Sequence, residues 1–210
     1  MKEKVLAIAP HPDDESIGCG GALALHARRG DRVAVAFLTS GELGLRRLPR
    51  DEAWRVREAE ARRACRVLGA RPPAFLRLPD WTLGRHAAAG VRAVRAVLAR
   101  ERPAIVYLPH PADGHPDHRA AVRIVRAALQ RGRAPAPELR AYEVWTPLSE
   151  WDLVLDVGVV FGTKLRALRA HRSQLDGFDY VQAVRGLGAY RGALAGRCAF
   201  AEVFRVLALR

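Results

Sequence analysis

Short apolar runs alternate along the chain with longer segments in which apolar residues recur every three or four positions. The short runs predict β-strands, and the longer segments predict helices with one apolar face. In the first two thirds of the chain the two kinds of segment follow one another in turn, as they do in βαβ units. The predicted strands there are 4–9, 32–38, 74–78 and 104–108, and the predicted helices are 16–29, 51–68, 88–101 and 117–131.

This alternation predicts an α/β fold, a doubly wound and mostly parallel Rossmann-like sheet with helices on both faces. The runs 5–9 and 105–108 contain only apolar and aromatic residues, which is typical of central strands that are buried on both sides. If these two strands are neighbours, the loops at their carboxyl ends open onto one crevice. Open parallel sheets bind their ligands in such a crevice.

The last third of the chain has a less regular pattern. A connector that contains proline and glycine, 132–137, separates it from the alternating part. The elements predicted beyond it are strands 140–146, 152–157 and 200–207 and helices 161–173 and about 178–194. We expect this part to extend the same sheet, so that residues 1–210 form a single domain.

The length and the cysteines bear on where the protein works. A chain of 210 residues can bury a core without disulfide bonds. Its three cysteines are widely separated and odd in number, which argues against a disulfide framework and favours a cytoplasmic location. No apolar stretch approaches the roughly 20 residues of a membrane span, and the N-terminus lacks the pattern of a signal peptide. We therefore expect no membrane anchor.

The formal net charge of +13 allows two interpretations. One is a polyanionic partner, which would make this a basic nucleic-acid-binding α/β protein. The other is a composition that is simply rich in arginine. The basic residues are scattered over many predicted helices, and no aromatic residues interleave with them as a single-strand binder would require. We favour the second interpretation and expect no nucleic-acid partner, although the charge keeps the first open.

Two clusters of histidines and carboxylates follow the two buried strands. The first is the run from His11 to Glu15, and the second extends from His110 to His118. Such a density of carboxylates and imidazoles is unfavourable unless a cation binds there. Two histidines, one carboxylate and an open position are typical of catalytic zinc, whereas Mg²⁺ prefers oxygen ligands. A metal-dependent phosphoesterase stays open as an alternative, because several aspartates lie in the two clusters.

These motifs resemble those of the LmbE-like/PIG-L family of zinc-dependent N-deacetylases. That family includes N-acetylglucosaminyl-phosphatidylinositol deacetylases and the deacetylases of mycothiol and bacillithiol synthesis. The resemblance covers nearly the whole chain, with its segments in the right order. The matching segments are Pro10 to Glu15, Thr39 to Glu42, Arg57 with Glu60 ahead of Leu68-Gly69, His115 to His118, Lys164 to Gln174 with His171-Arg172-Ser173-Gln174, and Ala201 to Phe204.

The resemblance implies a site for one Zn²⁺ per chain. The metal ligands that it implies are His11, Asp14 and His118. It makes Asp13 the general base and His115 the charged partner of the tetrahedral transition state. Asp117 either holds His115 in its charged form or is an acid favoured by the start of a helix.

The resemblance also implies the reaction, removal of the acetyl group from an N-acetylated amino sugar by metal-activated water. We expect Arg57, Asp80 and Asp113 to contact this small-molecule substrate, although Asp80 could equally be a plain turn residue. Some relatives have tyrosine where this chain has Asp113. His171 either packs near the mouth of the site or is purely structural. Another metal-dependent amide hydrolase is the alternative within enzymes, and a homo-oligomer is possible.

Overall fold

The computed structural model describes residues 2–130 and 136–209. Within these residues seven strands form one sheet, and six α-helices pack around it. The strands are β1 (Lys4–Ala9), β2 (Arg32–Phe37), β3 (Ala74–Phe75), β4 (Ile105–Pro109), β5 (Glu138–Tyr142), β6 (Leu153–Asp156) and β7 (Ala201–Leu207). The helices are α1 (Asp14–Arg28), α2 (Arg50–Val67), α3 (Ala87–Glu101), α4 (Pro116–Leu129), α5 (Phe161–Ala170) and α6 (Tyr180–Arg191).

The strand order is β3-β2-β1-β4-β5-β7-β6. The first five strands are parallel, and β7 runs antiparallel to both of its neighbours. The predicted doubly wound, mostly parallel sheet is therefore confirmed. β1 and β4 are adjacent, with Val5 opposite Ile105, although nearly a hundred residues separate them in the chain. The strand order reverses between them, which is the switch point where such sheets form a binding crevice.

Both faces of the sheet are covered, as the sequence predicted. Alternate residues of β1 point to opposite sides, so Ala7 joins one core cluster and Ile8 joins the other. α1, α2 and α5 contribute to the first cluster, and α3 and α4 contribute to the second. Burying a side chain such as Ile8 stabilises the fold by about 1.5–3 kcal/mol, so this alternation firmly fixes the strand register.

α1 begins earlier than predicted and is broken. It starts at Asp14 rather than at residue 16, and Cys19 leaves the helical conformation at φ −138° and ψ 17°. The Glu202 carboxylate accepts the backbone N–H groups of Gly21 and Ala22 at 2.7 and 2.8 Å. It therefore caps the second half of the helix, which explains how the backbone tolerates the break.

Other elements end sooner than the pattern predicted. β3 has two residues instead of five, since Arg77 adopts a left-handed conformation at φ 51°. β5 ends at Tyr142 because the next residues turn towards the crevice, where a buried carboxylate accepts the Trp145 N–H. Residues 132–135 of the predicted connector, and residue 131 of the predicted helix before it, lie outside the described residues.

The longest described helix, α2, has 18 residues and carries charged side chains along most of its length. Among the helices that the structure describes, none combines the length and the apolar character needed to cross a membrane.

All three cysteines are free, with Cys19 and Cys65 buried. The cytoplasmic location stays a prediction.

Candidate active site

The β1–β4 junction brings the two sequence clusters together. The turn after β1 carries His11 into α1, and the loop after β4 leads into α4, whose first turn carries His118. His11 Nδ1 lies 3.2 Å from Asp14 Oδ2. His118 Nε2 lies 3.2 Å from the same oxygen and 3.4 Å from His11 Nδ1. The three predicted ligands thus present one atom each at the corners of a small triangle.

The size of this triangle fits a metal ion. Zinc–nitrogen and zinc–oxygen bonds of about 2.0–2.2 Å in a tetrahedron separate the ligand atoms by about 3.3–3.6 Å. Two of the three observed separations, at 3.2 Å, lie just below this range, and the third, at 3.4 Å, lies within it. Binding of a zinc ion would therefore need little rearrangement of the three side chains. Wider sets also exist: His11, His115 and His118 offer atoms within 4.8 Å of one another, as do His11, Asp80 and Asp117.

Carboxylates lie behind both histidines. His11 Nε2 is 3.2 Å from Asp80 Oδ1 and 3.4 Å from Asp117 Oδ2, and His118 Nδ1 is 3.1 Å from Asp113 Oδ1. A carboxylate at the second ring nitrogen is the usual way to orient a metal-binding histidine. Burial alone would lower the pKa of His118, but Asp14 and Asp113 raise it to about 9. These carboxylates therefore favour positive charge at the triangle. A bound cation would supply that charge.

Asp113 is not where the sequence analysis expected it. Its side chain has no exposed surface, so a substrate does not reach it. Besides facing His118, it accepts the N–H of His115 at 2.9 Å and the N–H of Trp145 at 3.0 Å. The predicted substrate contact is therefore wrong for Asp113. The turn before α4 folds this carboxylate back against the protein, where it orients His118.

Asp117 lies in the first turn of α4, as the second of its two predicted roles requires, and His115 lies just before that helix. The Asp117 carboxylate accepts the N–H groups of Trp81 and Leu83 at 2.7 and 3.1 Å and lies behind His11. Its backbone N–H donates to His115 Nδ1 at 3.2 Å. Asp117 therefore does not partner the His115 ring through its carboxylate. Instead, the His115 side chain caps α4 by accepting this N–H.

The ionisation of His115 follows from its surroundings. Burial, together with the nearby His11 and His118 rings, lowers the pKa of His115 to about 4. This shift favours a neutral ring at His115, and the charged ring that the resemblance implied stays a prediction. Because Nδ1 accepts a hydrogen bond, the ring proton is on Nε2, which leaves a donor that can serve an oxyanion.

Asp13 lies between the triangle and α2. Its φ of 133° is unusual for any residue except glycine. Its backbone N–H donates to Glu15 Oε2 at 3.1 Å, and its carboxylate meets Arg57 Nη2 at 3.0 Å. Burial raises the pKa of Asp13 to about 6, although Arg57 opposes this shift. A carboxylate with a pKa in this range is suited to general base chemistry near neutral pH.

Arg57 ties together the turns that surround the site. Its Nη1 donates to Gly41 O at 2.8 Å, and its Nη2 donates to Pro12 O at 2.5 Å as well as to Asp13. A Cβ at position 41 would lie 2.1 Å from the guanidinium, and Gly41 has a φ of 62°. Glycine is therefore required there. The buried Nε of Arg57 faces no acceptor within the part of the chain that the structure describes.

Comparison with known proteins settles the family. The sequence profile described as "PIG-L: GlcNAc-PI de-N-acetylase" matches residues 6–129, more than half of the chain. The chain belongs to the PIG-L family. This confirms both the resemblance and the expectation of an amide-hydrolysing deacetylase.

Individual relatives of this PIG-L chain cover most of its length. It is 32% identical over 189 residues to the "Probable N-acetyl-alpha-D-glucosaminyl L-malate deacetylase 2" of Bacillus subtilis (strain 168), covering 84% of this chain and 86% of the relative. It is 30% identical over 234 aligned positions to the "1D-myo-inositol 2-acetamido-2-deoxy-alpha-D-glucopyranoside deacetylase" of Mycobacterium sp. (strain KMS), covering 82% and 74%. The structure of "N,N'-diacetylchitobiose deacetylase from Pyrococcus horikoshii" superposes with a TM-score of 0.86 at 25% identity, covering 98% of this chain and 84% of the other.

Two residue pairs connect the remaining PIG-L motifs to the site. His171 Nε2 lies 3.0 Å from Glu15 Oε1, and both side chains are buried. Glu60 accepts the N–H and the hydroxyl of Ser173 at 2.9 and 2.6 Å. From the sequence, Glu15 is expected to be an acid that supports the site or the start of a helix, and His171 has the two roles given above. The structure favours a supporting role for both, since Glu15 also holds the Asp13 backbone.

A cavity of about 920 Å³ opens over the PIG-L site. Its lining includes His11, His115, Asp13 and Asp14, together with Asp80 and Arg57, which both remain candidates for substrate contact. Trp81 stands beside the His115 ring, with 4.6 Å between the ring centroids, and is half exposed. The sequence analysis missed the aromatic lining because these residues come from loops that are far apart in the chain.

Proposed function

We propose that this protein is a zinc-dependent hydrolase that removes the acetyl group from an N-acetylglucosamine-type conjugate. The observation that carries this proposal is the triangle of His11, Asp14 and His118 atoms with the buried carboxylate of Asp13 beside it. Two histidines and a carboxylate, with room for further ligands on the cavity side, are the donor set of a catalytic zinc ion. The GlcNAc-type substrates named for the relatives supply the substrate class.

An N-acetyl amide is a poor electrophile, and its amine is a poor leaving group. Zinc held by the three donors would polarise the acetyl carbonyl and lower the pKa of a water molecule towards about 7. Asp13 accepts the proton of the attacking water and later delivers it to the departing nitrogen. His115 donates from Nε2 to the oxyanion of the tetrahedral intermediate.

Asp80 and Arg57 are our candidates for binding the sugar. Asp80 lines the cavity and faces His11, and its carboxylate accepts the N–H groups of Leu43 and Trp81 at 3.0 and 2.9 Å. Arg57 also lines the cavity, where its guanidinium pairs with Asp13 at 3.0 Å. Sugar contacts with Asp80 and Arg57 would hold the acetamido group against Asp13 and His115.

The carboxylates argue against a two-metal phosphoesterase, which needs carboxylates that are free to bridge two ions. Asp14 contacts both ligand histidines, and the other acids of the clusters are engaged with ring nitrogens, backbone N–H groups or Arg57. A single ion is the better fit, which supports our proposal of one zinc per chain.

Release of free amine from N-acetylglucosamine glycosides by the zinc-loaded protein tests this function. We expect turnover that a chelator removes and added zinc restores. A protein that carries zinc and yet deacetylates no N-acetylglucosamine glycoside would contradict the proposal.

A further inference from the structure

The cavity extends well beyond the chemistry at its inner end. Its volume of about 920 Å³ lies near the top of the range of about 300–1,000 Å³ that is usual for small-molecule sites. A single amino sugar that reaches Asp13 fills only the inner part. The cavity is also lined by Trp145, Phe178 and Tyr180, which we call the outer aromatic cluster because Trp145 and Phe178 are about half exposed.

The three rings of the outer aromatic cluster contact one another. Ring centroids are 5.9 Å apart for Trp145 and Phe178, 6.0 Å for Trp145 and Tyr180, and 5.6 Å for Phe178 and Tyr180. Despite these contacts, Trp145 is 47% exposed and Phe178 is 60% exposed. Large apolar side chains that are exposed together at the mouth of a cavity mark a binding surface rather than a packing defect.

The outer aromatic cluster is tied to the metal triangle. The backbone N–H of Trp145 donates to Asp113 Oδ2, and the other oxygen of Asp113 faces His118. On the opposite side, the Tyr180 N–H donates to Phe178 O at 2.9 Å at the start of α6. These hydrogen bonds hold the backbone at Trp145 close to the reaction centre and the backbone at Phe178 and Tyr180 at the start of α6, which reduces the cost of ordering these segments around a ligand.

Charge at the rim of the cavity is partly neutralised. Arg47 pairs with Asp176 at 3.1 Å across the rim. Arg46 also lines the cavity, so an aglycone that carries a carboxylate is the competing ligand that a test must include. Among the described residues, Arg46 is the one cavity arginine with no ion pair, whereas three aromatic rings line the cavity nearby. This balance favours an uncharged ring as the ligand.

We propose that the outer aromatic cluster is a second subsite, which binds an aryl ring attached to the amino sugar while the acetamido group lies at the metal site. This inference rests on the proposed deacetylation and specifies its substrate class. Contact between the aryl ring and the cluster removes apolar surface from water and adds aromatic packing, so it acts mainly on substrate binding.

The test compares the zinc-loaded protein on methyl, phenyl and carboxymethyl glycosides of N-acetylglucosamine. We expect kcat/KM for the phenyl glycoside to exceed that for the methyl glycoside about tenfold, chiefly through a lower KM. Phe178→Ala should bring the phenyl-to-methyl ratio close to one. Tyr190→Ala is the matched control, because Tyr190 is exposed to a similar extent but does not line the cavity. It should leave the ratio unchanged.

Equal kcat/KM values for the methyl and phenyl glycosides would overturn the subsite, as would a preference for the carboxymethyl glycoside. Failure of the proposed function gives a different result, in which no glycoside is deacetylated. In that case the binding of deacetylated glycosides, measured by the quenching of tryptophan fluorescence, tests the subsite independently of turnover. Phenyl glucosaminide should bind more tightly than methyl glucosaminide, and Phe178→Ala should remove the difference; equal affinities would refute the subsite.

Discussion

Asp13 combines several unfavourable features in one residue. Its φ is positive and its carboxylate is buried. An ion pair with Arg57 offsets the cost of this burial, and Arg57 also donates to the backbone carbonyl of Pro12 in the same turn. A non-glycine residue in such a conformation costs about 1–3 kcal/mol and persists only where its surroundings impose it. Here the surroundings are Arg57 and Glu15, which hold the carboxylate and the N–H of Asp13 respectively.

We predict that Asp13→Asn lowers kcat by about 10²–10⁴-fold, because it removes a general base. The zinc content should stay the same, since this substitution changes none of the three ligands of the triangle. Elemental analysis and amine release measure the two effects separately. Asp51→Asn, at an exposed position of α2, is the control and should change neither. Activity of Asp13→Asn within a few-fold of the wild type would refute the role of Asp13.

Glu15 provides a second prediction about a single residue. Its carboxylate accepts hydrogen bonds from Ser16, from the Asp13 N–H and from His171. Glu15→Gln removes the negative charge that faces His171 and accepts the Asp13 N–H, so the buried hydrogen bonds lose their charge assistance. We expect a loss of about 1–3 kcal/mol of unfolding free energy.

Urea denaturation measures this loss, and exposed Glu52 on α2 offers the matched control, Glu52→Gln. We also expect kcat of Glu15→Gln to fall with little change in KM, because the acceptor of the Asp13 N–H loses its negative charge and holds Asp13 less firmly. If Glu15→Gln and Glu52→Gln are equally stable, the buried pair with His171 has no structural importance.

At the scale of the elements, α1 joins the sheet to the site. Its first turn carries Asp14, and its second half begins anew after the break at Cys19. The Glu202 carboxylate caps that second half and forms a buried ion pair with Lys164, whose Nζ also donates to Ile17 O at 2.7 Å. The late motifs of the sequence thus act on the first helix from the opposite end of the chain.

We predict that Glu202→Ala lowers the free energy of unfolding by about 3–5 kcal/mol, because it leaves the Lys164 charge buried without its partner. Glu150→Ala is the control, since Glu150 pairs with Arg205 on the surface, where such a pair is worth about 0–1 kcal/mol. Thermal or urea unfolding measures both. Equal effects would show that burial of the Lys164 pair does not matter.

How far the sequence predicts the structure depends on the range of the interactions. Hydrophobic periodicity located the strands and helices, because it reports local burial. It could not predict the break in α1 or the short β3, since a distant carboxylate and a left-handed Arg77 determine them. In the site, the predicted ligands His11, Asp14 and His118 come together. The hydrogen-bond partners of Asp113 and Asp117 come from distant loops, which no local pattern predicts.

At the scale of the whole molecule, the adjacent β1 and β4 make the site. Neither cluster alone supplies two histidines and a carboxylate in this arrangement, and only the reversal of strand order brings the two together.

The arginines behind the net charge of +13 lie largely on the surface, where several pair with acids; Arg71 and Arg100, for example, both reach Glu101. The absence of a nucleic-acid partner and the oligomeric state stay predictions.

Zinc content with and without a ligand side chain tests the central claim most directly. We predict about one zinc per chain in the wild-type protein and close to none in His118→Ala. His86→Ala, at an exposed histidine, should keep its zinc and its amine-releasing activity. The account would be contradicted if the wild-type protein bound no divalent metal and added zinc failed to activate it, or if His118→Ala retained one zinc per chain.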